Sequence, residues 1–373
     1  MMAMPKPLTS VVALARFELV GEYLDAAISA LAQESDWQEW VNQVELHGLS
    51  GIINKHLYDH DLPIPDLVVD ALLALKERHI LASKMRYQAL REIDACFQKH
   101  QVDYIALKGS ALVPHIYRQG FLRPMRDMDI LVRRDDQVIA ANALRELGYD
   151  LPDTQPSKFM HDMNQLPNAT KTIEGLISSI ELHLDGISRE VKGHLYYPES
   201  ADSVQRLSWG TISSKALEDI LMLHQVSRHL EGLHPNAILK LINVMDVIAL
   251  ANHVQSTGQW NRLVKEYPHV INTLRCLHLL TPLPVNLQQA VELLPCREVK
   301  QVGQIMGSLT SIFFVKETLR VRLKRLFLPS DWWMHLHYNV DPNRSLIWVK
   351  LIRHPLKVSN WLLRRAYSWV LGG

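Results

Sequence analysis

Apolar residues recur at helical spacing through the first hundred positions of the chain. Val11, Leu14, Phe17 and Val20 mark one face, and Tyr23, Leu24, Ile28 and Leu31 mark the next. A longer run over about 65–99 carries Leu67, Leu72, Leu75, Ile80, Met85, Leu90, Ile93 and Phe97. Pro63, Pro65, Asp61 and Asp66 supply the turn and the cap ahead of it. From Val102 the period shortens. Positions 102–107 form a short apolar run that ends at Lys108-Gly109-Ser110, and 111–118 can continue as a helix with Pro114 tolerated near its first turn.

After Gln119-Gly120 and the Arg123-Pro124 break, an acidic strand is predicted at about 126–133. A helix over 135–147 follows, closed by Gly148. Positions 152–168 read as a loop. Two strands at 169–174 and 176–184 meet near Glu174-Gly175, a tight-hairpin composition. Beyond about 215 the helical period returns over 217–230, 237–253, 260–267, 271–280 and 287–294. The pattern therefore predicts an α+β fold. A small mixed β-sheet core at 101–215 is flanked by helical regions at 1–100 and 216–300, with a basic, Trp-rich helical region at 301–373.

Composition narrows this picture. An apolar fraction of 47% and a charged fraction of 21% are ordinary for a folded soluble protein. A net charge of +1 gives no global case for nucleic acid or anionic membrane, yet thirteen Lys/Arg against four Asp/Glu lie beyond position 296. The three cysteines, Cys96, Cys276 and Cys296, are few, odd in number and far apart. They argue against a disulfide framework and fit a reducing cytoplasm. No secretory leader is evident at the start, and no apolar run reaches the roughly 18 residues a spanning helix needs. A cytoplasmic location is the expectation.

The candidate chemistry sits in the middle of the chain. Alternation on a strand points Asp127 and Asp129 the same way, while Met128, Ile130 and Val132 point the other way. Adjacent acids repel unless a cation lies between them, and hard oxygen ligands of this kind suit Mg²⁺. In Ile180-Glu181-Leu182-His183-Leu184-Asp185 the same alternation groups Glu181, His183 and Asp185. Glu181 is the expected third carboxylate and Asp185 its competitor; His183 is either an acceptor-side base or a structural hydrogen bonder. Gly109 lets phosphate oxygens approach the backbone, and Ser110 adds a hydroxyl donor. Lys108, Arg123 and Arg126 could balance triphosphate charge, and Lys108 and Arg126 could equally neutralise the acids. Two Mg²⁺ ions, or Mn²⁺, held by Asp127, Asp129 and Glu181 would serve in-line displacement on an NTP.

Gly-Ser on a strand–helix turn, Asp-x-Asp on the next strand and a later carboxylate strand resemble the DNA polymerase β-like nucleotidyltransferase superfamily. Within it, several segments are similar to the bacterial uncharacterised nucleotidyltransferase family. They are Leu107-Lys108-Gly109 with Tyr117, the run from Arg123-Pro124-Met125-Arg126-Asp127 through Val132, Leu147-Gly148-Tyr149 and Ile180-Glu181-Leu182-His183. The resemblance spans about 45–330 and includes 221–229 and Val244-Met245-Asp246. The Gly-Ser to Asp-x-Asp interval is longer here than in the broader superfamily. The resemblance implies NMP transfer from an NTP to a hydroxyl or phosphate acceptor, in the biosynthesis of cell-surface polysaccharides or modified peptides. Rival readings are a toxin-like enzyme acting on tRNA or protein, a nucleotide-binding scaffold without turnover, and phosphotransfer on the same fold.

Other motifs carry less. His224 and His229, five apart on a helix, sit about 140° from each other and are not expected to share a metal. His335-Leu336-His337 lacks a nearby Cys or acid cluster for zinc. The end of the chain, with Trp348, Lys350, Arg353, Lys357, Trp361, Arg364, Arg365 and Trp369, fits a helix packed on the protein. It also fits one that contacts an anionic membrane or RNA.

Overall fold

Five helices open the chain: α1 (Thr9–Ala13), α2 (Glu22–Leu31), α3 (Trp37–His47), α4 (Ser50–Asp59) and the 34-residue α5 (Asp66–Lys99). The computed structural model describes residues 9–151, 165–187, 193–209, 212–231, 239–294 and 344–360, with the single positions 327, 334, 338 and 340. Asp36 caps α3 by accepting the Glu39 amide at 3.0 Å, and Gly48 ends it in the left-handed region at φ 73°. The apolar face predicted through Val20 breaks early, because α1 ends at Ala13 and Val20 is exposed. Tertiary contacts turn the chain there. The Arg16 guanidinium lies 4.0 Å from the Tyr23 ring and donates to Thr281 Oγ1 at 3.2 Å, while His56 Nε2 bonds the Arg16 carbonyl at 2.8 Å.

The sheet follows. Its strands are β1 (Tyr104–Ala106), β2 (Met128–Val132), β3 (Ala169–Ile173), β4 (Leu176–His183), β5 (Val204–Trp209) and β6 (Ile212–Leu217), in the order β3-β4-β2-β1-β6-β5. β1 runs antiparallel to β2 and parallel to β6, and β2 runs parallel to β4. The mixed sheet and the α+β class are as the sequence pattern predicts. The hairpin turn is Glu174-Gly175, both at positive φ (50° and 80°), which matches the twist of the strands it joins. The β5–β6 hairpin has no forerunner in the sequence reading: Gln205-Arg206 and Ser213-Ser214-Lys215 dilute the alternation that marks a strand.

Helix α6 (Lys108–Leu112) begins directly after β1, three residues earlier than expected, and passes into a π-helical turn at Val113–Tyr117. Pro114 therefore lies inside the helical segment. A wider turn accommodates a residue that cannot donate a backbone bond. Helix α7 (Gln137–Glu146) closes on Gly148 at φ 83°, with Gly148 donating to Arg145 O and Tyr149 to Leu144 O. Five further helices are α8 (Asp219–Glu231), α9 (Leu241–Ser256), α10 (Trp260–Glu266), α11 (His269–His278) and α12 (Val285–Glu292).

Two compact units result, Met1–Thr154 with Asn164–Phe313, and Gln155–Met163 with Phe314–Gly373. In the first, one apolar core runs from Leu14 and Trp40 in the opening helices through Ile105 and Leu131 in the sheet to Leu223, Leu250 and Leu274 in the closing helices. Burial of this kind contributes about 25 cal/mol per Å² of apolar surface. In the second, Met334, Tyr338, Leu346 and Val349 form a small cluster, and residues 347–360 are helical with a π turn at Val349–Arg353. His335 to His337, Cys296 and Trp361 onward lie outside the described residues. Among the described residues, no helix is long and apolar enough to cross a membrane.

Candidate active site

The parallel pairing of β2 with β4 decides the site. Its register sets Asp129 opposite Glu181 and Leu131 opposite His183, so two acids from segments 52 positions apart become neighbours on one face. The other face carries Met128, Ile130, Ser178, Ile180 and Leu182, all buried. β2 begins at Met128, two positions later than expected, which leaves Asp127 at the strand entry.

Lys108 closes the group from the turn that follows β1. The Leu107 amide donates to the Asp129 carbonyl at 3.0 Å, extending the β1–β2 ladder, and the next residue turns sharply. Lys108 itself adopts φ 46°, a left-handed conformation that costs an L side chain about 1–2 kcal/mol. The turn aims its ammonium back at the acids, 2.6 Å from Asp129 Oδ1 and 4.0 Å from Glu181 Oε2. His183 Nε2 lies 2.8 Å from the same Asp129 oxygen and 3.5 Å from Glu181 Oε2, and Asn168 donates to Glu181 Oε1 at 3.1 Å.

The charges interact strongly. Burial disfavours the Asp129 carboxylate, but Lys108 and the His183 hydrogen bond hold its pKa well below the usual range. Burial, followed by repulsion from Asp129 and Glu181, pushes the Asp127 carboxyl upward. Burial and Lys108 oppose the charged form of His183, yet its bonds to Asp129 and Glu181 carry its pKa above the ordinary value. Lys108 behaves likewise: burial works against its charge and the acids outweigh it. Asp129 and Glu181 offer two oxygen donors of like charge with the His183 imidazole beside them, a set that suits a divalent ion; Asp127 is not one of this group. The ligand atoms of Asp129, Glu181 and His183 all lie within 4.8 Å of one another.

The remaining predicted residues are placed less directly. Gly109 and Ser110 are buried. The Ser110 hydroxyl accepts the Asp129 amide at 3.1 Å, which fastens the turn to β2. A Cβ on Gly109 would come within 2.3 Å of Arg123 Nη1 and 2.8 Å of Met125 Sδ, so only glycine fits. Arg123 is turned into the interior. Its Nη2 donates to Asp246 Oδ2 at 2.6 Å and its Nε to Oδ1 at 3.2 Å, and Tyr117 Oη donates to Oδ1 at 2.7 Å. Arg126 is exposed beside Asp127. Asp185 is buried and already partnered: its Oδ1 accepts the Ile187 and Leu195 amides at 3.0 and 2.8 Å, and its Oδ2 lies 2.6 Å from His194 Nδ1.

Three cationic or titratable groups that feel the acids were not assigned to them from the sequence. Arg86 on α5 and Lys240 at the start of α9 both feel the Asp127 charge. His229 feels Lys108, Asp129 and His183; burial first and then Lys108 lower its pKa to about 3. His224, by contrast, faces α11, with Nδ1 3.1 Å from His269 Nε2. Each comes from a helix distant in sequence, where a lone Arg, Lys or His reads as an ordinary surface residue.

No curated protein matches the sequence significantly. Among solved structures, the crystal structure of ANT(2″)-Ia in complex with adenylyl-2″-tobramycin is similar at a TM-score of 0.34. Identity is 7%, with 47% of this chain and 92% of that one covered. The solution structure of the antibiotic-resistance factor ANT(2″)-Ia is similar at 0.32. Identity is 10%, with 50% and 98% covered. Likenesses this remote do not bear on substrate. The sequence itself matches the family described as uncharacterised nucleotidyltransferase over residues 33–286. That span exceeds half of the chain and contains Lys108, Asp127, Asp129, Glu181 and His183, and the protein therefore belongs to the uncharacterised nucleotidyltransferase family.

Proposed function

We propose that the protein is a Mg²⁺-dependent nucleotidyltransferase that moves an NMP from an NTP to a hydroxyl or phosphate acceptor. The observation that carries this reading is the β2–β4 register, which places Asp129 beside Glu181 with Asp127 in the same field. Asp127, Asp129 and Glu181 would hold Mg²⁺ or Mn²⁺, two ions in the usual arrangement. Ions held there would neutralise phosphate charge and ease loss of the acceptor proton.

The chain's own groups have separable tasks in this reading. The acceptor oxygen bonds to the α-phosphorus while the bond to the β-phosphate bridge breaks, and pyrophosphate leaves. Glu181, oriented by Asn168, takes the acceptor proton. Lys108 exchanges its contact with Asp129 for the triphosphate, and Arg126 lies exposed where it can join it. Gly109, Ser110 and Arg123 seat the Lys108 turn beside the phosphates. His183 steadies the Asp129 carboxylate.

The test is incubation of each labelled NTP with Mg²⁺ in cell extract, wild type beside Asp129→Ala. A labelled glycan or peptide that falls at least about a hundredfold in the variant is the expected result. Label in RNA or protein points to the toxin-like reading, and NDP release instead of pyrophosphate points to phosphotransfer. Equal labelling by both proteins overturns the catalytic assignment.

The C-terminal helix favours a peripheral role beside this chemistry. Over 344–360 there is no acidic residue, and Arg344, Lys350, Arg353 and Lys357 are basic. Ile347, Trp348, Leu351 and Leu356 are each at least 66% exposed. An exposed apolar face with Trp, backed by cations, matches an anionic lipid surface. Full-length protein should sediment with anionic vesicles more than with zwitterionic ones, and Trp348→Ser with Leu351→Ser should reduce this by about tenfold. Binding that ignores lipid charge, or a dimer lost in the double variant, argues against it.

A further inference from the structure

A second convergence of ligating side chains lies apart from the acids of the sheet. His115 sits in the π turn Val113–Tyr117, Asp219 is the first residue of α8, and His253 is in the last turn of α9. His115 Nε2 lies 2.8 Å from Asp219 Oδ1, and His253 Nε2 lies 3.2 Å from Asp219 Oδ2. The imidazoles meet edge to face, with centroids 4.9 Å apart at 81°. The three ligating atoms lie within 4.8 Å of one another.

We propose that His115, Asp219 and His253 form a site for a borderline divalent transition ion of the zinc class, separate from the Asp127, Asp129 and Glu181 group. The donor set is the first argument. Two imidazole nitrogens and one carboxylate oxygen suit zinc and its neighbours, whereas Mg²⁺ prefers oxygen alone. Spacing is the second. Ligand bonds of about 2.0 Å in a tetrahedron place neighbouring ligand atoms about 3.3 Å apart. His253 Nε2 and Asp219 Oδ2 stand at 3.2 Å, and His115 Nε2 and Asp219 Oδ1, at a hydrogen-bond distance of 2.8 Å, would part slightly around an ion.

The surroundings supply a third. Gln205 Nε2 donates to Asp219 Oδ1 at 2.7 Å and to the Leu217 carbonyl at 2.8 Å. This is the outer partner that orients a ligating carboxylate. The His253 side chain remains 34% exposed, which leaves a way in and a fourth position for water. An ion here would pin the segment that follows Lys108-Gly109-Ser110 to α8 and α9 without touching the acids.

The test titrates zinc alone into chelator-stripped, full-length protein against a chromophoric competitor. An Asp129→Asn/Glu181→Gln variant should still take up one ion, and wild type at least one. Placed in that variant background, His115→Ala and His253→Ala should weaken uptake by at least about tenfold to a hundredfold with far-UV circular dichroism unchanged. Cobalt should give visible ligand-field bands that the histidine variants lack. If either alanine variant fails to fold, His253→Gln at the more exposed position decides. The proposal is overturned by wild type taking up no zinc at micromolar concentration. It is equally overturned by zinc binding that the histidine substitutions leave unchanged when placed in the Asp129→Asn/Glu181→Gln background, or by loss of the ion in Asp129→Asn/Glu181→Gln alone.

Discussion

Asp246 shows how one side chain far along the chain from the acids holds the turn beside them. Its carboxylate takes two bonds from Arg123 and one from Tyr117, all buried, and Arg123 in turn packs under Gly109. Truncation would strand a buried guanidinium, a loss that costs about 3–5 kcal/mol. Asp246→Ala should therefore lower the urea midpoint by that amount of stability, and a fall below about 1 kcal/mol would mean that Arg123 finds another partner. Residue-scale chemistry was unevenly legible. Asp129, Glu181 and His183 declare themselves by alternation within short runs, since strand geometry fixes their face, whereas Asp127 precedes β2 and its face is not set that way. The partner of Arg123 does not, because Asp246 lies 123 positions away.

At the scale of elements, the turn of the β3–β4 hairpin joins the strands that position Glu181 and its neighbour Asn168. Glu174 sits at φ 50°, a region that asparagine tolerates better than glutamate. Glu174→Asn should raise the melting temperature by a few degrees, about 0.5 kcal/mol, and leave the labelling activity unchanged. A lower melting temperature would show that the turn relies on the Glu174 side chain. The hairpin and the long α5 were both readable, one from Glu174-Gly175 between alternating runs and the other from sustained apolar spacing. The π turn at Val113–Tyr117 was not, since Pro114 reads as a first-turn residue until the helix is seen to start at Lys108. The β5–β6 hairpin was missed because its polar residues hide the period.

For the whole molecule, buried histidines fasten the opening helices, one of them to a distant part of the chain. His47 Nδ1 accepts the Leu241 amide at 3.3 Å, joining α3 to α9, and His56 bonds the Arg16 carbonyl. Burial lowers both imidazoles to about 4, with Lys240 adding to the effect at His47. The unfolded chain, with an ordinary histidine value near 6.5, binds protons that the folded chain refuses between these limits. Stability is therefore full above pH 6.5 and falls as pH drops toward 4, by about 2 kcal/mol per histidine at pH 5. Denaturant unfolding across this range should show the loss, and His47→Gln should flatten part of it; an unchanged slope would mean that His47 is not the titrating group. The sequence by itself determined the α+β class, the long helices and the acid pair with its later carboxylate, because local periodicity and alternation are properties of short segments. Only the tertiary structure decided that Glu181 stands beside Asp129 and that Lys108 turns back onto both. It alone buried Arg123 against Asp246 and brought His115, Asp219 and His253 together. Parallel pairing and helix packing join segments far apart in the chain, and no local pattern encodes which distant partner a buried charge will find.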